Sequence, residues 1–131
     1  MDKIIAALLV IAGIIHLLPV SGVLGAARLQ ALYGLPIDDP NLLILMRHRA
    51  ILFGIVGLLL IGAVFKTDWQ VPAIAAGLVS VIGFLVLAKL AETPNPEIRR
   101  VVLVDWVALA ALIGALALKL LPALRSVTPP S

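Results

Sequence analysis

The sequence contains no cysteine, and its charged and aromatic residues are few. Without cysteine the chain forms no disulfide, iron–sulfur cluster or thiol nucleophile. Charged residues make up 13% and hydrophobic residues 63% of the 131 positions, whereas soluble domains have about 25% and about 45–50%. The composition is therefore typical of an integral membrane protein.

The sequence also lacks a basic stripe of the kind that binds nucleic acid. Ten Lys and Arg against seven Asp and Glu give a net charge of +3, but the basic residues are scattered near the ends of apolar spans. In that position they act as headgroup anchors and topology signals. We therefore expect membrane lipids as partners and no nucleic acid.

Four apolar spans account for most of the chain. A transmembrane helix needs about 20 mostly apolar residues, and suitable spans cover residues 4–24, 42–65, 71–91 and 98–121. We predict one integral membrane domain over residues 1–131, of the all-α class. Its expected form is an antiparallel four-helix transmembrane bundle, with a short interfacial helix between the first two spans.

The first span resembles a signal peptide in being apolar and N-terminal, and Gly25-Ala26-Ala27 would be its cleavage site. Its apolar run is longer than that of a signal peptide and contains His16 and Pro19, so we expect it to remain as a membrane anchor. Pro19 removes a backbone hydrogen bond and should bend or end the helix near His16. His16 would then bond a backbone carbonyl freed by the proline.

The longest connection, residues 25–41, predicts the interfacial helix. Residues 26–33 are helix formers with apolar side chains at i, i+3 and i+4. Gly34 suits the C-terminal cap of this helix. Asp39 or Asn41 is expected to cap the N-terminus of the next transmembrane helix.

Ionisable residues inside the spans indicate a functional site, because charge in lipid is costly. Arg47, His48 and Arg49 are consecutive in the second span, and Asp105 is the only acid within any span. At ~1.5 Å per residue, His48 and Asp105 lie roughly 10 Å, and His16 about 12–14 Å, below the same side of the bundle. Three consecutive helical residues cannot all face inward. We expect one arginine to face the bundle and to pair with Asp105.

Two classes of function are compatible with this cluster. In the first, the protein is a binder or small enzyme for a lipophilic ligand with an anionic or carbonyl head, held by arginines and processed by proton transfer. In the second, it is a structural or accessory membrane subunit whose buried charges only fix helix packing. Small-residue helix faces would also permit a homo-oligomer. The expected catalytic residues are His16, His48 and Asp105, and the expected ligand-binding residues are Arg47, Arg49, Tyr33 and Arg99.

No cofactor is expected. The only two histidines, His16 and His48, would have to be the ligand pair of a haem, and neither lies in a haem motif. No cluster has metal-ligand spacing, so we expect no metal site.

Three stretches, residues 13–22, 32–34 and 46–54, together with the Asp105 helix, resemble an uncharacterised group of small bacterial four-helix integral membrane proteins. The resemblance implies a four-helix bundle in the bacterial inner (cytoplasmic) membrane. Some members are automatically labelled phosphopantetheine adenylyltransferase, an activity that needs a nucleotide-binding α/β fold and a histidine-containing phosphate motif. This sequence has neither.

Size and helix count are also similar to those of the membrane glutathione-transferase superfamily (MAPEG). Arg49-Ala50 matches its arginine-containing second helix, but Phe53, Gly54 and Gly57 follow where that family has Asn and Glu. The similarity therefore extends to the architecture and not to thiol conjugation.

Overall fold

The computed structural model describes residues 2–127, and side chains as far as residue 122. This part of the chain is helical and has no strand. Two short 3₁₀ segments, Leu18–Leu24 and Thr67–Trp69, connect to the α-helices. The α-helices are α1 (Asp2–Leu17), α2 (Ala26–Tyr33), α3 (Pro40–Phe65), α4 (Gln70–Leu90) and α5 (Pro96–Val127).

Within residues 2–127, four helical stretches are long and apolar enough to cross a membrane. Helix α1 packs against α3 and α5, and α4 packs against the same two helices. Helices α1 and α4 therefore occupy opposite corners of the bundle, as do α3 and α5. The predicted all-α four-helix membrane fold is confirmed. The four stretches are Asp2–Leu24, Pro40–Phe65, Thr67–Leu90 and Pro96–Pro122.

The first membrane-spanning stretch changes its helix type near the proline. Helix α1 ends at Leu17, and the chain continues as the 3₁₀ segment Leu18–Leu24 with Pro19 in its first turn. The missing N–H of proline cannot extend the α-helical hydrogen-bond ladder. The predicted end of the regular helix beside His16 is confirmed.

The connection between the first two spans folds as its sequence indicates. Helix α2 covers the predicted residues, and Gly34 caps it with a left-handed φ of 69°, donating its N–H to Gln30 O. Asp39 caps α3, its Oδ1 accepting from Asn41 N at 2.8 Å. Gly34 is needed because few other residues adopt this φ without strain.

Asn95 ties the two connections on this side of the bundle together. Its Nδ2 donates to Tyr33 O at 2.7 Å, while its Oδ1 accepts from Ile98 N at 2.8 Å and caps α5. The end of α2 is thereby held against the start of α5. This arrangement positions the Tyr33 side chain above the bundle interior, where it is buried.

Small residues bring the long helices close together. Gly13 on α1 faces Gly57 on α3, and Gly77 on α4 faces Leu112 on α5. Close backbone approach of this kind stabilises helix pairs in lipid through dispersion contacts. The largest fully buried side chains of the described core are Leu9, Leu29, Leu60, Ile74, Val81 and Leu112.

Candidate functional site

Arg49 is the arginine of the triplet that turns toward the bundle. Its Nη1 donates to the Tyr33 hydroxyl at 2.6 Å. Its guanidinium carbon lies 4.5 Å from the centroid of the Phe53 ring, 5.1 Å from that of Tyr33 and 5.7 Å from that of Phe84. Stacking of this kind stabilises a cation without supplying a counter-charge. We call Arg49, Tyr33, Phe53 and Phe84 the arginine–aromatic cluster.

The other two residues of the triplet lie on the outside of α3. Arg47 is exposed, and its Nε donates to Val23 O in the 3₁₀ segment at 2.8 Å. His48 is exposed as well. Because successive helical residues are rotated by about 100°, only one of the three can face the centre. The expectation that one arginine faces inward while the other meets a neighbouring segment agrees with this arrangement.

His16 is buried and bonded at both ring nitrogens. Nδ1 lies 2.8 Å from Ala12 O, and Nε2 lies 3.1 Å from Ser80 Oγ on α4. The carbonyl is thus that of Ala12, one turn earlier on α1, and not one freed by Pro19 as the sequence suggested. The bond to Ser80 crosses the centre of the bundle, since α1 and α4 occupy opposite corners. The ring of Phe53 lies 5.9 Å away, centroid to centroid.

Asp105 is buried, with 8% of its surface exposed. It takes part in none of the side-chain hydrogen bonds that the described residues form, and both candidate arginines direct their bonded nitrogens to other partners. The predicted direct pairing with an arginine does not form, because Arg47 turns to the outside of α3 and the inward-facing Arg49 bonds Tyr33. Asp105 instead lines a cavity.

Among the described residues, three cavities are each lined by at least one member of the arginine–aromatic cluster. The first, of about 390 Å³, lies between α1, α2 and α5 and is lined by Asp105 and Tyr33, with Arg28, Glu97 and Arg100. The second, of about 540 Å³, lies between α3, α4 and the α4–α5 connection. The third, of about 410 Å³, lies between α3 and α4. Tyr33 separates the first two cavities, and Arg49 lines the second and the third.

The four central polar groups lie at a common depth. Arg49 and Asp105 are each nine residues inside the start of their helices, which corresponds to ~14 Å at the rise of an α-helix. Ser80 is ten residues before the end of α4, or ~15 Å. His16 meets Ser80 at the same level. Polar groups from four different helices thus share one layer deep within the apolar spans.

The structure therefore brings together part of the predicted site. Arg49 and Tyr33 are in contact, His16 is joined to them through Phe53, and Asp105 lies across the cavity that Tyr33 lines. The remaining predicted residues lie outside this group: Arg47, His48 and Arg99 are exposed.

Three residues of the site were not predicted from the sequence. Ser80, Phe53 and Phe84 are single residues in apolar runs, without a motif to mark them. The depth of Ser80, counted back from the end of its helix, matches that of His16 and was the available signal.

The central polar layer and Tyr33 together offer one guanidinium, one buried carboxyl group, one imidazole and two hydroxyls. Among the described residues no group of three or more His, Asp or Glu is placed to hold a metal ion. Comparisons with protein-family models, with curated proteins and with solved structures gave no match. The function is therefore inferred from the geometry of the site.

Proposed function

We propose that this integral membrane protein binds a lipophilic molecule whose anionic or carbonyl head contacts Arg49. The observation that carries the proposal is the half-buried guanidinium of Arg49, nine residues inside α3, whose bonded side-chain partner is the Tyr33 hydroxyl and not a carboxylate. A charged arginine at the centre of a transmembrane helix costs about 2.5–3.5 kcal/mol on insertion scales. Aromatic stacking offsets about 0.5–2 kcal/mol of such a cost. An anionic or strongly polar ligand would supply the rest.

The cavities on either side of Arg49 have suitable dimensions for the apolar part of such a ligand. Their volumes of about 540 and 410 Å³ fall in the usual range of about 300–1,000 Å³ for small-molecule sites. Phe84 and Leu87 line the larger one, and Leu52 and Val56 line the smaller. A hydrocarbon tail would lie along these walls while the head faces the guanidinium.

The other predicted site residues take more distant roles in this proposal. Tyr33 holds Arg49 and would donate its hydroxyl to the ligand head. Asp105, across the first cavity, is the group available for proton exchange with a second polar end. His48 and Arg99 are exposed on the outside of the bundle, and in this proposal they contact lipid headgroups.

The setting that fits the sequence resemblance is the bacterial inner membrane, with lipids as neighbours. Association with a second copy of the chain through small residues remains part of the proposal. The small residues Ala73 and Gly77 are buried inside the bundle, so an oligomer would use exposed small residues such as Ala110 instead.

A structural role is the second proposal, and the Tyr33 contacts favour it. The side chain of Tyr33 accepts from Arg49 on α3, and its carbonyl accepts from Asn95 before α5. Arg49 would then serve only to fasten α2 to the bundle. This alternative predicts a loss of stability, and no loss of ligand, when Arg49 is replaced.

Ligand retention by Arg49→Gln tests the proposal. The wild-type protein purified in mild detergent should carry a lipophilic compound that organic extraction and mass spectrometry detect, and Arg49→Gln should retain at least tenfold less. Arg47→Gln is the matched control, because it makes the same change two residues away on the exposed face, and it should retain the wild-type amount. Equal retention by both variants, with a lower melting midpoint for Arg49→Gln alone, would favour the structural alternative.

Asp105→Asn is expected to leave the bundle as stable as the wild type or more so. The carboxylate has no hydrogen-bonded partner to lose among the described residues, and the amide avoids the cost of a buried charge. Thermal melting in detergent measures this, with the exposed Asp68→Asn as the control. A marked fall in the midpoint for Asp105→Asn alone would mean that the carboxylate is held by an ion pair.

A further inference from the structure

We infer that Ser80 and His16 form a nucleophile and general-base pair for acyl transfer within the membrane. The inference rests on the proposed function in one respect, since the ligand head it requires is an ester carbonyl directed toward Arg49. It adds a reaction and two residues whose joint role the sequence did not indicate.

The hydrogen bonds of His16 define its tautomer. Nδ1 lies 2.8 Å from Ala12 O, and a carbonyl oxygen only accepts, so Nδ1 carries a proton. In the neutral imidazole Nε2 then has a lone pair, and it accepts the hydroxyl of Ser80 at 3.1 Å. A serine bonded to an imidazole whose other nitrogen is held in place is the arrangement that activates a serine nucleophile.

Ser80 also has access to a substrate. It lines the third cavity together with Arg49 and Phe53, while His16 lies behind it in the buried core. Leu52 and Val79 line the same cavity and are exposed on the outer surface of the bundle. The cavity therefore opens toward the surrounding acyl chains, and its substrate class is a lipophilic ester that enters from the bilayer.

The reaction balances with these groups and one hydroxyl compound. Ser80 Oγ bonds to the ester carbonyl carbon, its proton passes to His16 Nε2, and the negative oxygen that forms is stabilised by the Arg49 guanidinium. The C–O bond to the leaving alcohol then breaks, and that alkoxide takes the proton from Nε2. Water or a lipid alcohol attacks the acyl carbon next, gives its proton to Nε2, and the proton returns to Ser80 Oγ as the new acid or ester leaves.

Labelling with a long-chain alkyl fluorophosphonate, which phosphonylates activated serines, tests the pair. The full-length protein in detergent is incubated with this probe, and the adduct is located by mass spectrometry of peptides. We expect an adduct on Ser80, none at that peptide in Ser80→Ala, and wild-type labelling in the matched control Ser21→Ala. His16→Gln should lower the labelling rate at least tenfold, because positioned general bases contribute about 10²–10⁴-fold.

Two outcomes would overturn the inference: a wild-type protein that is not labelled at Ser80, or a His16→Gln variant labelled at the wild-type rate. Ser80→Ala removes only the hydroxyl oxygen. The comparison of wild type with Ser80→Ala therefore tests the inference even if the His16→Gln variant misfolds. Hydrolysis of nitrophenyl octanoate in micelles, lost in Ser80→Ala, gives a second readout.

The failure of this inference can be distinguished from that of the proposed function. Ser80→Ala should retain the ligand that Arg49→Gln loses. Retained ligand without labelling would leave the binding proposal standing and reject the reaction. Labelling of Ser80 without any retained ligand would reject the binding proposal and leave the reaction standing.

Discussion

Replacing Gly57 with leucine is expected to give the largest loss of stability in this protein. Gly57 lies where α3 crosses α1, and a β-carbon there would be 2.8 Å from Leu17 Cγ and 3.0 Å from the backbone oxygen of Gly13. A flexible side chain can move away, but the backbone oxygen of a helix cannot. Leucine would therefore force α1 and α3 apart, and overpacking of this kind costs about 1–3 kcal/mol or more.

The same substitution at Gly83 provides the matched control. Gly83 also lies inside a long helix, and a β-carbon there would meet nothing within 4 Å. Both substitutions raise helix propensity by the same amount. The difference in unfolding free energy between the two variants therefore measures only the effect at the α1–α3 crossing. The free energy of unfolding, measured by titrating detergent micelles with SDS and following tryptophan fluorescence, should fall for Gly57→Leu only. Equal values for the two variants would contradict the close crossing.

Leu60→Ala is the second prediction with a large effect. Leu60 is 0% exposed and belongs to the central core, whereas Leu58 on the same helix is 65% exposed. Buried leucine-to-alanine changes cost about 2–5 kcal/mol in soluble proteins, partly as transfer from water and partly as a cavity. In lipid the helices gain little from the transfer term, so we expect the remaining packing loss of about 1–3 kcal/mol.

Leu58→Ala provides the comparison for this change. Leu58 faces the membrane, where lipid chains fill the space that the shorter side chain leaves, so its unfolding free energy should stay close to that of the wild type. The same SDS titration measures both variants. A loss for Leu58→Ala as large as that for Leu60→Ala would mean that the outer face of α3 is packed against protein in the membrane, for example against a second copy.

Ligand binding and acyl transfer depend on different residues of the same polar layer. Binding needs the Arg49 guanidinium and an apolar space beside it, and a lower affinity should follow any change that moves Tyr33. Acyl transfer needs the Ser80–His16 bond, which lies on the other side of Phe53. The ring of Phe53 contacts both groups, so it links the site of binding with the site of chemistry.

Sequence alone determined the elements of this protein. The extent of α2 was predicted to the residue, and the starts of α3, α4 and α5 lie within two residues of the predicted positions. The reason is local: apolar length defines a membrane span, while Pro19, Gly34 and Asp39 mark helix ends through their own backbone chemistry. Helix α5 extends past its predicted end at residue 121 and continues to Val127. Pro122 lies inside this helix and does not end it.

Only the tertiary structure decided which polar residues meet. The rotation of each helix about its axis directs Arg49 inward and leaves Arg47 and His48 outside. Side-chain direction also brings His16 and Ser80 together across the centre of the bundle, while Arg49 bonds Tyr33 and Asp105 lines a cavity. Spacing along the chain fixes depth, since rise per residue is constant. It does not fix which helices are neighbours or which way they face, because lipid surrounds every apolar surface equally and small residues decide how the helices pack.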